Sequence, residues 1–166
     1  MITPIAGEFV KIAFADQADL TLTQADPMRP AARFNRQGQD ALYLSPHEEA
    51  ARVAIGQYVR LDDPARVLLR FEVSACELFD LRLPENADVY EAARQPWLAD
   101  VAAGVTPASW EAADHIRAMG YKGLIDPSRR RPGLWHITLF EWNQQTAPSV
   151  EAIGNPEPIH LELDYR

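Results

Sequence analysis

Segments that read as strands outnumber those that read as helices, and the two kinds do not alternate along the chain. A doubly wound parallel sheet needs a crossover helix between neighbouring strands, so an α+β fold with mixed or antiparallel sheets and flanking helices is favoured over it. The strand candidates are "EFVKIAF" (8–14), "ALYLS" (41–45), "RVLLRFEVSA" (66–75), "CELFDLRL" (76–83), "KGLID" (122–126), "LWHITLFEW" (134–142) and "IHLEL" (159–163). The short piece "RFN" (33–35) is also expected to be extended, with Gly38 turning the chain after it.

Two helices are marked by their ends. In "SPHEEAARVAIGQYVR" (45–60), Ser45 stands as N-cap, Pro46 at the first helical position and Glu48 three residues past the cap. That pattern predicts a capping box, followed by Ala50, Ala51, Ala54, Ile55 and Tyr58 at helical spacing. In "TPASWEAADHIRAMG" (106–120), Thr106 reads as the cap and Gly120 as the terminator. Pro96 divides "VYEAARQPWLADVAA" (89–103) into shorter helical pieces. The 13 prolines fall mostly between periodic segments, and no repeat or long linker interrupts them, so one domain over residues 1–166 is expected.

Charge narrows the function. With 16 Lys+Arg against 24 Asp+Glu, the net charge of −8 argues against generic nucleic-acid binding. Two local basic patches remain, Arg29, Arg33 and Arg36, and the run Arg129 to Arg131, and they suit a small anionic ligand better than a duplex. The run reads first as a solvated turn between strands, with at most one of its members facing a ligand or an acidic partner. The four histidines are scattered without ligand spacing and Cys76 is the single cysteine, so neither a zinc site nor an internal disulfide is expected. His136, on an apolar strand, reads as a half-buried strand residue outside any site. No apolar run is long enough to span a bilayer, and a cytoplasmic location is expected.

Read together, "RFNRQGQDALYLS" (33–45), the capped helix after it and "GYKGLIDPSRRRPGLWHITLF" (120–140) resemble the RES-domain family in order and spacing. The resemblance runs roughly from "FVKI" to "ITLF". It implies the toxin half of a bacterial toxin–antitoxin pair acting on NAD⁺, with a fold similar to ADP-ribosyltransferase toxins and the dinucleotide in a cleft between β-sheets. Members cleave the nicotinamide–ribose bond and pass ADP-ribose to water, phosphate or a protein side chain. No metal is required, and a small helical DNA-binding antitoxin covers the cleft.

The resemblance also implies roles for matching residues. Arg33 would hold the pyrophosphate through fork-like hydrogen bonds, Tyr43 would present an aromatic face and a hydroxyl handle, and Ser128 would hydrogen-bond the ligand from the turn. Lys11 falls where the family usually has an arginine, and keeps the charge without the bidentate geometry. The family's glutamate on the following helix is missing, because Val53 or Ala54 occupies its place, and Gln57 one turn on offers only a hydrogen bond. Slow hydrolysis with transfer to a protein acceptor is therefore expected. A catalytically weak nucleotide-binding module and a pure interaction protein stand as alternatives.

Overall fold

The computed structural model describes residues 3–161. Glu162 and Leu163, the end of the last expected strand, lie outside the described residues. The first strand, β1 (Thr3–Phe14), pairs antiparallel along nearly its whole length with β3 (Arg66–Asp80). The register shifts between Ile5 and Gly7, where β3 carries one extra residue, and Gly7 itself stands at φ +111°, a conformation a side chain would disfavour. The expected break between "RVLLRFEVSA" and "CELFDLRL" is absent, since β3 runs through both as one strand. The segment from Ser74 to Glu77 is the less buried stretch between the two buried parts of the strand, which is why it reads as a gap.

Partner exchange along β3 creates the architecture. On the side away from β1, it pairs in turn with β7 (Glu157–Ile159), with β6 (Val150–Ala152) and, in parallel, with β4 (Gly123–Pro127). β4 pairs antiparallel with β5 (Trp135–Leu139), and β5 with β2 (Leu42–Leu44). The order β1-β3-β4-β5-β2 then turns back on itself, because Val10 and Ser45 exchange two backbone hydrogen bonds of 2.8 Å. The largest apolar cluster draws on β1, β2, β3 and β5 through Phe9, Leu44, Phe71 and Ile137, together with Trp142 beyond β5.

Helices cover the outer faces. α1 (Glu48–Ile55) lays Ala51 over Val10, Ile12 and Leu68, while α2 (Ala87–Ala93) and α4 (Ala108–Ala118) pack with Phe34, Leu124 and Phe140. α3 (Leu98–Ala102) follows the break at Pro96, as expected from the sequence. Together the mixed sheet and its flanking helices are the α+β arrangement expected.

Three local expectations are corrected. Ser45 is not the cap of α1: His47 is, its Nδ1 accepting the Ala50 N–H at 3.2 Å. Ser45 is drawn into the bridge to Val10, so the capping box with Glu48 does not form and the helix begins two residues later. In α4 the N-cap position falls on Pro107 rather than Thr106, with no side-chain cap, although Gly120 does end the helix at φ +89°. β6 was not anticipated at all, being only three residues with one of them buried.

Gly123 has a steric reason. A Cβ there would press against the Thr138 carbonyl oxygen and lie 3.0 Å from Leu139 Cα, both backbone atoms of the paired strand. Gly123→Ala is expected to destabilise the fold by about 2–3 kcal/mol, read as a lower midpoint in urea denaturation.

Candidate active site

The site begins with an irregular segment held by side chains. Arg33 lies on the long connection between β1 and β2, in a stretch without helix or strand to fix it. α4 supplies the frame: Ser109 Oγ donates to the Arg33 carbonyl at 2.6 Å, Trp110 Nε1 to that of Ala32 at 2.7 Å and Arg117 Nη2 to that of Phe34 at 2.8 Å. From the other side, the Phe34 N–H donates to Tyr43 Oη at 3.0 Å, and the Tyr43 hydroxyl donates to Asn35 Oδ1 at 2.6 Å. Arg36 and Asp114 add a two-pronged ion pair at 3.0 and 2.9 Å. A segment with so many fixed backbone groups presents Arg33 in one position.

Beside it opens a cleft of about 580 Å³, a size suited to a small organic ligand. Lys11, Arg33, Tyr43 and Ser128, from four separate parts of the chain, all line it. Arg33 Nη1 donates to the carbonyls of Ala93 and Gln95 at 3.2 and 2.7 Å, steadying the C-terminal end of α2, and the guanidinium retains donors beyond those two bonds. Lys11 Nζ donates to the Tyr43 carbonyl at 3.3 Å and stands 5.9 Å from the centre of the Tyr43 ring. Ser128 Oγ accepts the Arg131 N–H at 3.1 Å, which leaves the hydroxyl its own proton to donate.

Tyr43 departs from its expected part. Its hydroxyl is committed inward, to Phe34 and Asn35, so it is no handle for a ligand; the ring, stacked on Phe34, is what remains to the cleft. Burial holds the phenol well above its ordinary pKa, so it stays protonated.

The three arginines of the β4–β5 turn have three different partners. Arg129 Nη1 reaches both oxygens of Asp126, at 3.1 and 3.0 Å, within the cleft. Arg130 donates to Gln57 at 3.4 Å and Arg131 pairs with Glu49, so both reach across to α1 and its following turn. The turn is exposed from Arg129 to Gly133, as the sequence suggested, and its arginines tie it to Asp126, to Gln57 and to α1.

One residue read as lying outside any site, and one not singled out in the sequence, line the cleft here. His136 lines the cleft with its Nδ1 2.9 Å from Ser45 Oγ. Burial, Arg129 and His47 lower its pKa to about 4, so the imidazole is neutral at pH 7. Asp126 is 4% exposed and is the one acidic side chain among the described residues lining the cleft; burial raises its pKa against the opposing pull of Arg129. Its signal was visible as an aspartate inside the aliphatic run "GLIDP", where a charge needs a partner. Val53 and Ala54 also line the cleft, without a carboxylate, and the acids of α1 engage Arg52 and Arg131. Among the described residues, no group of three or more His, Cys, Asp or Glu converges as a metal site requires.

The cleft is cationic overall, with Lys11, Arg33, Arg129 and Arg130 against Asp126. Burial, with Arg29 adding repulsion, lowers the Lys11 pKa from 10.5 to about 8. Between those values the unfolded chain holds a proton the folded chain has shed, so this group makes stability rise with pH across that window and contributes no slope below it. Lys11→Met is expected to remove that part of the slope, which urea denaturation of both proteins at pH 7.5 to 10 measures.

The sequence profile of the RES domain matches residues 9–164. No curated protein sequence matches the chain. Among solved structures, a chain of the M. tuberculosis MbcT–MbcA toxin–antitoxin complex shares the fold at a TM-score of 0.63 and 14% identity, over 95% of this chain and 86% of that one.

Proposed function

The chain belongs to the RES-domain family, and from that premise we propose that it is the toxin of a toxin–antitoxin pair, cleaving NAD⁺ at its nicotinamide–ribose bond. ADP-ribose passes to a protein acceptor, with water or phosphate as variants. The observation that carries the reading is the convergence of a guanidinium, an ammonium, an aromatic ring and a hydroxyl on one cleft of dinucleotide scale. Arg33 and Lys11 take the pyrophosphate, whose negative charge offsets the crowding of cations along the cleft. Tyr43 offers its ring to the nicotinamide or its ribose, and Ser128 donates its hydroxyl proton. Nicotinamide leaves with the bonding electron pair, neutralising its ring, and the sugar passes through an oxocarbenium-like state.

An antitoxin covering the cleft is supported by its lining, where Tyr58 and Leu98 are 42% and 57% exposed. Isolated apolar side chains need no explanation, but two at one opening suit a partner surface. The fold is shared with a chain of a toxin–antitoxin complex, and in this reading the protein works in the cytoplasm with its antitoxin. Among the described residues no helix is long and apolar enough to cross a membrane.

Purified protein incubated with NAD⁺ is expected to release free nicotinamide, and expression without a partner to halt bacterial growth. A second reading, a nucleotide-binding module without turnover, is favoured by the absence of a carboxylate at Val53 and Ala54. Thermal stabilisation by NAD⁺ with no nicotinamide released selects it over the first.

A further inference from the structure

We propose that Asp126, from β4, is the carboxylate that faces the reacting sugar of the bound dinucleotide and takes the acceptor's proton. The inference rests on the NAD⁺-cleaving reading of the same cleft. The residues lining that cleft bring four cations, Lys11, Arg33, Arg129 and Arg130. Such a lining attracts the pyrophosphate but opposes positive charge developing at the ribose C1′ a few ångströms away. A charge-separating step there needs a negative group aimed at the sugar, acting where water is excluded. Asp126 meets that need and no other acidic side chain among the described lining residues does.

Its setting suits the task. At 4% exposure its charge is poorly screened, and it stands on a paired strand rather than a loop. Arg129 holds both carboxylate oxygens through one nitrogen, at 3.1 and 3.0 Å, which fixes the group while each oxygen keeps a further lone pair to accept. His136 stands opposite it in the strand register, neutral, and Ser128 follows two residues later at the same rim. In the reaction the C1′–N bond breaks with its electrons going to nicotinamide. The acceptor's oxygen, from water or a protein side chain, bonds to C1′ and passes its proton to Asp126, which returns it to solvent.

A buried ion pair of purely architectural purpose would be indifferent to substrate, and that difference is measurable. Asp126→Asn keeps the shape of the side chain. Since it strands Arg129, a second variant, Asp126→Asn with Arg129→Gln, leaves no unpaired charge. Both are expected to retain stabilisation by NAD⁺ in thermal denaturation while nicotinamide release falls about 100-fold or more. Release within about threefold of the wild type in either folded variant overturns the proposal, as does loss of NAD⁺ binding in step with loss of turnover. A wild-type chain that releases no nicotinamide removes the parent reading and this one together. A wild type and an Asp126→Asn protein that turn over equally remove only this one.

Discussion

Arg33→Ala is expected to lower nicotinamide release about 100-fold, because a charged hydrogen-bond donor to the pyrophosphate is worth about 1.5–3 kcal/mol and this one is pre-positioned. The pre-positioning is specific. The backbone carbonyls of Ala32, Arg33 and Phe34 are each held by a side chain of α4, and the Phe34 N–H by Tyr43. The guanidinium is half-buried, and burial together with Arg129 lowers its pKa while Asp126 opposes that shift. The stability cost is smaller, about 1 kcal/mol, since what is lost within the protein is the contact with the last carbonyls of α2. Arg33→Lys restores charge without the fork and is expected to recover only part of the rate. Steady-state release rates with melting temperatures for the three proteins check this. An Arg33→Ala, Tyr43→Ala double variant with wild-type release would remove both residues from the site.

The largest stability effect is expected at Trp142. Its ring is wholly buried, its Nε1 donates to the Leu22 carbonyl at 3.1 Å, and its own carbonyl accepts from Gln24 Nε2 at 2.8 Å. The Arg29 guanidinium lies 5.7 Å from the ring centre. Trp142→Ala opens a cavity in the main core and leaves the Leu22 carbonyl without this donor, a loss of about 3–5 kcal/mol. Those contacts also anchor the connection that carries Arg33, so turnover is expected to fall alongside the urea midpoint. Trp142→Phe, which keeps most of the buried area, separates the two contributions by returning packing without the hydrogen bond. A shift below about 1 kcal/mol in Trp142→Ala would mean the connection is held by α4 alone.

Much of this was legible in the sequence because it depends on local order. The α+β class follows from counting and spacing, whereas Arg33, Tyr43 and Ser128 are pointed to by the resemblance to the RES-domain family, and the structure brings all three to one cleft. What stayed hidden depends on contacts between distant positions. Ser45 carries every local sign of a helix cap, yet its backbone is claimed by Val10 and its hydroxyl by His136, 91 residues away. The hydroxyl of Tyr43 is turned inward by Asn35 and Phe34, neighbours in sequence whose loop geometry no periodicity describes. The arginine run is as exposed as it looks, but its partners, Asp126, Gln57 and Glu49, lie on other elements or in a buried strand and are not legible beside it. Asp126 itself was passed over as part of a strand, although a carboxylate between aliphatic residues calls for a reason.

The central claim is that Lys11, Arg33, Tyr43 and Ser128 form one dinucleotide site. It is tested most directly by a crystal structure of the chain with an NAD⁺ analogue whose nicotinamide–ribose linkage resists cleavage. The account predicts the pyrophosphate within hydrogen-bonding distance of Arg33, the nicotinamide half against the Tyr43 ring and the adjoining ribose beside Asp126. An analogue seated elsewhere on the protein, with that cleft filled only by water, would contradict it.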